Sequence, residues 1–221
     1  MKRLILPVLL LSIVANASLS QAVPTNGDFT NGLTGWTSQG DVSTDNQEAV
    51  LGDNGATDSL LYQALALAPG QYTVGFDFLN GLSSVPPTFG FLDTFFASLY
   101  FINDVSQLDI LGGGFDAVTP LFDLDTSGVS NLTGSVGTSS KGGNWQHYSL
   151  TFQSSFNHVV PTFELLEQNQ INADSTVRID NVNIELSAVP EPSALLLVSS
   201  GLGGLLVLRW RRASQPQPKS A

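Results

Sequence analysis

Residues 71–79 read Gln-Tyr-Thr-Val-Gly-Phe-Asp-Phe-Leu, and the alternation is strict. Tyr72, Val74, Phe76 and Phe78 share one side; Thr73, Gly75 and Asp77 share the other. Side chains of an extended strand point alternately to opposite faces, so this is a half-buried β-strand. Similar patterns recur down the chain. Asp93–Ile102 is apolar and aromatic enough for a strand inside a sheet, Trp145–Gln153 alternates again, and Val159–Leu166 is a further strand. In Val177–Leu186 the apolar side switches at Asp180, as in a strand that bends or carries a bulge there. Asp41–Thr44 and Gln47–Leu51 are short strand candidates around Asp45-Asn46, and Leu60–Leu67 fits helix or strand. Weaker strand material lies between Gly112-Gly113-Gly114 and Asp123-Leu124-Asp125. The opening, from Pro24 to Trp36, reads as a first strand and a turn. Leu82–Gly90 and Thr126–Asn144 read as surface loops. Many short strands and no long amphipathic helix predict an all-β, jelly-roll-like sandwich over residues 23–188.

The two ends are of another kind. Lys2 and Arg3 precede the apolar run Leu4–Val14, followed by Ala15-Asn16-Ala17 and Ser20-Gln21-Ala22, either of which suits cleavage. Residues 1–22 are therefore expected to be a signal peptide. Ser193–Trp210 is an 18-residue run without charge before Arg209. Such a run is at the short end of what crosses roughly 30 Å of hydrocarbon at about 1.5 Å per residue. Arg209, Arg211 and Arg212 would hold its far end in the cytoplasm, with Trp210 at the interface. A transmembrane helix over 193–210 is expected, then a polar tail over 213–221.

Only Lys141 and Arg178 are basic between the two ends, where eighteen of the nineteen acids lie. A surface so acidic excludes nucleic acid as a partner, because phosphate contacts need cations. Without cysteine there is no thiol catalysis, thiolate metal site or disulfide. His147 and His158 are the only histidines; no Gly-x-Ser-x-Gly turn is present, and no histidine pair has zinc spacing. The acidic pairs Asp123/Asp125 and Glu164/Glu167 are what so acidic a chain produces by chance, so no enzyme is predicted. Trp36 is the candidate aromatic platform for a ligand, and Trp145, at the head of a strand, is read as core.

Two stretches carry family resemblances. Pro190-Glu191-Pro192, the apolar run and the arginine cluster, in that order over 189–212, resemble the PEP-CTERM sorting signal of exported bacterial proteins. That resemblance implies an exosortase as partner, a membrane-anchored precursor, and a mature protein at the cell surface or in an extracellular polysaccharide matrix. Asn26-Gly27-Asp28-Phe29, Gly35-Trp36, Pro69-Gly70-Gln71-Tyr72, Trp145-Gln146-His147-Tyr148 and Ile179-Asp180-Asn181-Val182 resemble galactose-binding-like sandwiches, which include carbohydrate-binding modules. That resemblance implies a structural calcium where the first strand meets the last. Asp180 would be a carboxylate ligand, with Asn26, Gly27, Asp28 and Glu48 completing an oxygen shell. The expected function is a structural or binding role in an exopolysaccharide matrix. The alternatives are a calcium-stabilised carbohydrate-binding module and, behind it, an uncharacterised hydrolase.

Overall fold

A computed structural model describes residues 23–52, 58–83, 92–167 and 175–187. The expected signal peptide over 1–22 and the expected sorting signal, with Pro190-Glu191-Pro192, the apolar run and Arg209, Arg211 and Arg212, lie outside the described residues. Among the described residues no helix is long and apolar enough to cross a membrane. The chain divides into two units, Met1–Leu186 and Ser187–Ala221, and the sandwich is the first.

Among the described residues thirteen strands form it. They are β1 (Thr37–Gln39), β2 (Val42–Asp45), β3 (Glu48–Leu51), β4 (Ser59–Tyr62), β5 (Leu65–Ala66), β6 (Gly70–Gly81) and β7 (Thr94–Ile102). After them come β8 (Ala117–Asp125), β9 (Gly128–Ser130), β10 (Ser135–Thr138), β11 (Gln146–Ser154), β12 (His158–Leu166) and β13 (Thr176–Leu186). One sheet runs β1-β4-β12-β7-β8-β9, with β5 also on β12; the other runs β10-β11-β6-β13-β3-β2. All pairings are antiparallel. The all-β sandwich expected from the sequence is present, and β7 does lie inside its sheet.

The alternation in β6 shows why the sheets stack. Tyr72, Val74, Phe76 and Phe78 are all fully buried. The Phe76 ring stacks on Tyr148 of β11 at 5.0 Å and meets Phe163 of β12 edge-on at 4.9 Å. Phe122 of β8 lies 5.0 Å from Phe78. Rings from both sheets thus interleave in one core, the arrangement that face-to-face packing requires.

Several local expectations change. Leu60–Leu67 is two strands, β4 and β5, broken at Gln63-Ala64. The partner strand carries Pro161 opposite the break, and proline has no N–H to continue the ladder there. The weak region before Asp123 is the nine-residue β8, whose register shifts beside Pro120. The loop read over Thr126–Asn144 contains two short edge strands, β9 and β10.

Residues 24–36 form turns rather than a strand. Their polar groups are satisfied by side chains. Asn26 donates to the Gly32 carbonyl at 2.7 Å and accepts from the Asn31 N–H at 2.9 Å. Buried Gln63 donates to the Gly35 carbonyl at 2.6 Å and accepts from the Thr25 N–H at 2.8 Å. Phe29 and Trp36, 5.3 Å apart, drive this segment into the core.

Candidate functional site

The polar side of the six-stranded sheet collects most of the unusual chemistry. Register aligns one row across it: Gly137 opposite His147, His147 opposite Asp77, and Asp77 opposite Asp180. These residues sit on the outward phase of strands whose inward phase is apolar, which is why they share a face. Glu48 begins β3 one residue before Ala49, the partner of Ile179, so its carboxylate extends the row.

Asp77 is 3% exposed and is the anchor. One carboxylate oxygen bonds the Nδ1 of His147 at 2.8 Å, and the other accepts from the Asn181 side-chain amide at 2.8 Å. A buried carboxylate needs such donors to offset its lost hydration. Asn181 reaches it because β13 shifts register between Asp180 and Asn183, with Asn181 in the left-handed region at φ 52°. The face switch expected at Asp180 is therefore a real irregularity, and it supplies a ligand to the row. Gly75 keeps the centre of the face low: an added Cβ would lie 3.0 Å from Asn183 Oδ1 and 3.4 Å from His147 Cε1. The His147 side chain remains 42% exposed.

Lys141 comes from the turn between β10 and β11 and closes the other half of the row. Its ammonium lies 2.7 Å from Glu48 Oε1 and 2.5 Å from Asp180 Oδ2. It also sits 3.8 Å above the centroid of the Trp145 ring, a cation–π distance. Burial by itself lowers the Lys141 pKa; the hydrogen bonds and charges of Asp180 and Glu48 outweigh it and hold the pKa above the ordinary lysine value. Arg178 continues the network, donating to Glu48 Oε2 at 3.0 Å and to Asp45 at 2.9 Å.

Trp145, Asn144, Gln146, Thr138, Val136, Gly137 and Gly143 line an open depression of about 470 Å³ where β10 meets the start of β11. Trp145 is half-buried, and its indole N–H makes no hydrogen bond to the described residues. Neither tryptophan is placed as expected: Trp145 is half-buried rather than core, and Trp36 is buried. Trp36 is 8% exposed, packs on Phe29 and Phe163, and donates its N–H to the Asn26 carbonyl at 3.2 Å. It is a core residue and offers no platform, because the 24–36 turns fold it inward.

The residues expected to hold calcium come together only in part. Glu48 and Asp180 converge, and all four of their carboxylate oxygens already accept: two from Lys141, one from Arg178 and one from the Asn181 N–H at 2.7 Å. The Asn26 side chain is committed within its own turn. Asp28 is exposed and accepts from the Thr30 hydroxyl at 3.1 Å, while the Gly27 carbonyl accepts from the Val182 N–H at 2.9 Å. Among the described residues no three His, Asp or Glu side chains are placed to hold a metal ion. Calcium needs six to eight free oxygens, so this donor set does not fit it as it stands.

Sequence reasoning singled out Asp180 and Glu48 but missed Lys141, Asp77 and Asn181 as one assembly. The outward phase of Asp77 and His147 was readable; their pairing depends on register.

No protein-family model matches the chain, and no curated protein matches its sequence. Solved structures match it at low identity and TM-scores below 0.5. The enzymatically active domain of bacteriophage CBA120 tailspike protein 4 matches at 15% identity and TM-score 0.46, over 73% of this chain and 21% of that one. The chain thus spans about a fifth of that tailspike domain's length. A family 61 carbohydrate-binding module solved with β-1,4-galactotriose matches at 13% identity and TM-score 0.44, over 76% of this chain and 99% of that one. The carbohydrate recognition domain of Emp47p matches at 13% identity and TM-score 0.48, over 75% and 97%. Two of these are carbohydrate-binding or carbohydrate-recognition domains and one is an enzymatically active domain, and at such identities and scores they carry no residue, ligand or activity to this chain.

Proposed function

We propose that this chain is an exported β-sandwich that binds neutral polysaccharide at the cell surface and does no chemistry on it. The observation that carries the reading is the open depression beside Trp145, which Asn144, Gln146 and Thr138 also line. Sugars present apolar ring faces and pairs of hydroxyls, so an accessible aromatic ringed by amide and hydroxyl side chains suits them. Two observations narrow the ligand. Lys141 and Arg178, the two cations of the domain, are both held in ion pairs, and carboxylates dominate the rest of the face. A uronate polymer would meet uncompensated like charge, so neutral glycans are favoured.

The test is a glycan array with the purified full chain, followed by calorimetry on the best neutral oligosaccharide. Trp145→Ala is expected to weaken that binding at least tenfold, about 1.4 kcal/mol. An unchanged affinity, or preferential binding of uronates, would overturn the reading.

Sorting is part of the same proposal. Its support is the order Pro190-Glu191-Pro192, apolar run, arginine cluster in the sequence. Deleting residues 193–221 is expected to move the protein from the membrane fraction into the periplasm or medium. Retention in the membrane would count against the anchor.

A further inference from the structure

We infer that Lys141 is the positioning residue of the Trp145 platform: its ammonium, held by Glu48 and Asp180, braces one face of the indole, so that a glycan meets a ring already fixed. The inference rests on the glycan reading of the depression beside Trp145. A flat ring serves as a platform only if it does not swing, because a side chain that must be ordered on binding lowers the affinity. The two tryptophans differ in what holds them. Trp36 packs on Phe29 and Phe163 and donates its indole N–H to the Asn26 carbonyl. Trp145 has no such ring partner or indole hydrogen bond among the described residues. What meets its ring is the Lys141 ammonium, 3.8 Å from the centroid.

A lysine alone would be a poor brace. Its four-carbon stem is flexible, and a cation–π contact is weak where solvent reaches it. Here the ammonium is fixed by Glu48 Oε1 at 2.7 Å and Asp180 Oδ2 at 2.5 Å. Those carboxylates are held in turn. Arg178 donates to Glu48 Oε2, the Asn181 N–H donates to Asp180 Oδ1, and the two residues stand on adjacent strands, β3 and β13. The rigidity of the sheet thus passes through two carboxylates and one ammonium to a ring at the end of a turn. Because the carboxylates neutralise the ammonium, it braces the ring without drawing uronates to it. The turn sets both partners of the contact. The Ser139 N–H donates to the Trp145 carbonyl at 3.2 Å, and the Trp145 N–H donates to the Gly142 carbonyl at 3.3 Å. The buried Ser139 hydroxyl accepts from the Lys141 N–H at 3.0 Å. Gly142 and Gly143 take φ of 76° and 61° with open space where a Cβ would project, so glycine serves the backbone angle there and not the room.

The experiment uses the purified full chain labelled with fluorotryptophan, the Trp145 fluorine resonance being identified by its loss in Trp145→Phe. In glycan-free protein Lys141→Met is expected to raise the mobility of the Trp145 ring, read from fluorine relaxation, and to leave that of Trp36 unchanged. The same variant is expected to bind the neutral oligosaccharide selected on the array about fivefold more weakly by calorimetry. Lys141→Arg, whose guanidinium also stacks on aromatic rings, should recover most of both losses. Lys141→Met strands two carboxylates together; where it does not fold, Lys141→Met with Glu48→Gln and Asp180→Asn removes the brace without the stranded charges and carries the same test. A Trp145 ring as rigid without the lysine as in wild type would overturn the inference. So would an unchanged affinity without the lysine where Trp145→Ala weakens binding, and the glycan reading would then stand without the brace. Binding that survives Trp145→Ala removes the glycan reading itself, and the brace's role in it.

Discussion

Phe76→Ala is expected to destabilise the sandwich by about 4 kcal/mol and lower its melting temperature by about 10 °C. The size follows from where the ring sits. Phe76 is fully buried in β6 and touches rings from both sheets: Tyr148 at 5.0 Å, Phe163 at 4.9 Å and Phe122 at 6.0 Å. Truncation loses the transfer energy of the ring and leaves a cavity between strands whose hydrogen-bonded spacing cannot collapse to fill it. Phe76→Leu keeps most of the volume and should cost less than half as much. Denaturant melts of the two variants check this. Equal losses from leucine and alanine would mean that ring contacts, and not volume, hold the two sheets together at this point.

The fold was readable wherever one side of a strand is apolar and the other mostly polar. That condition holds for β6, β11 and β13, and for them alternation marks both the strand and its inner face. It fails where neighbours decide. β9 and β10 are edge strands rich in glycine, serine and threonine, and nothing in 126–144 alternates; they become strands because β8 and β11 offer them a ladder. The break between β4 and β5 is set by Pro161, about a hundred residues later in the chain. Residues 24–36 read as a first strand and a turn because glycine and asparagine punctuate short segments there, yet the whole stretch is turns, its backbone held by Asn26 and Gln63 side chains.

The site was legible to the same extent. Asp77, His147 and Asp180 could each be placed on an outward phase. That they form one row is a property of register between β11, β6 and β13, and a shift of one residue would have buried or separated them. Lys141 sits in a glycine- and serine-rich stretch with no periodicity, and only the folded turn shows that it reaches two strands. The cost of missing it was large, because the same two carboxylates read as metal ligands when the ammonium between them is unknown.

Gly27→Ala is expected to cost about 3 kcal/mol and roughly 10 °C of melting temperature, an effect out of proportion to one methyl group. Gly27 does not need glycine for its backbone angles; it needs it for proximity. A Cβ there would lie 2.0 Å from the Val182 carbonyl oxygen, and that atom is backbone inside β13. It cannot rotate away. The only relief is to lift residues 24–36 from the bulge after Asp180, which breaks the hydrogen bond from the Val182 N–H to the Gly27 carbonyl at 2.9 Å. Phe29 and Trp36 ride on the same segment, so lifting it also opens the core at their end. The damage should therefore show in two places. Tryptophan fluorescence should shift as Trp36 meets water, and the Val182 amide should exchange with solvent much faster than in wild type. The depression beside Trp145 is a control: its residues lie on β10, the start of β11 and the turn between them, which this change does not touch, so glycan binding by the folded fraction should persist. A Gly27→Ala protein that melts within a degree of wild type would show that the 24–36 segment is not seated on β13 as described.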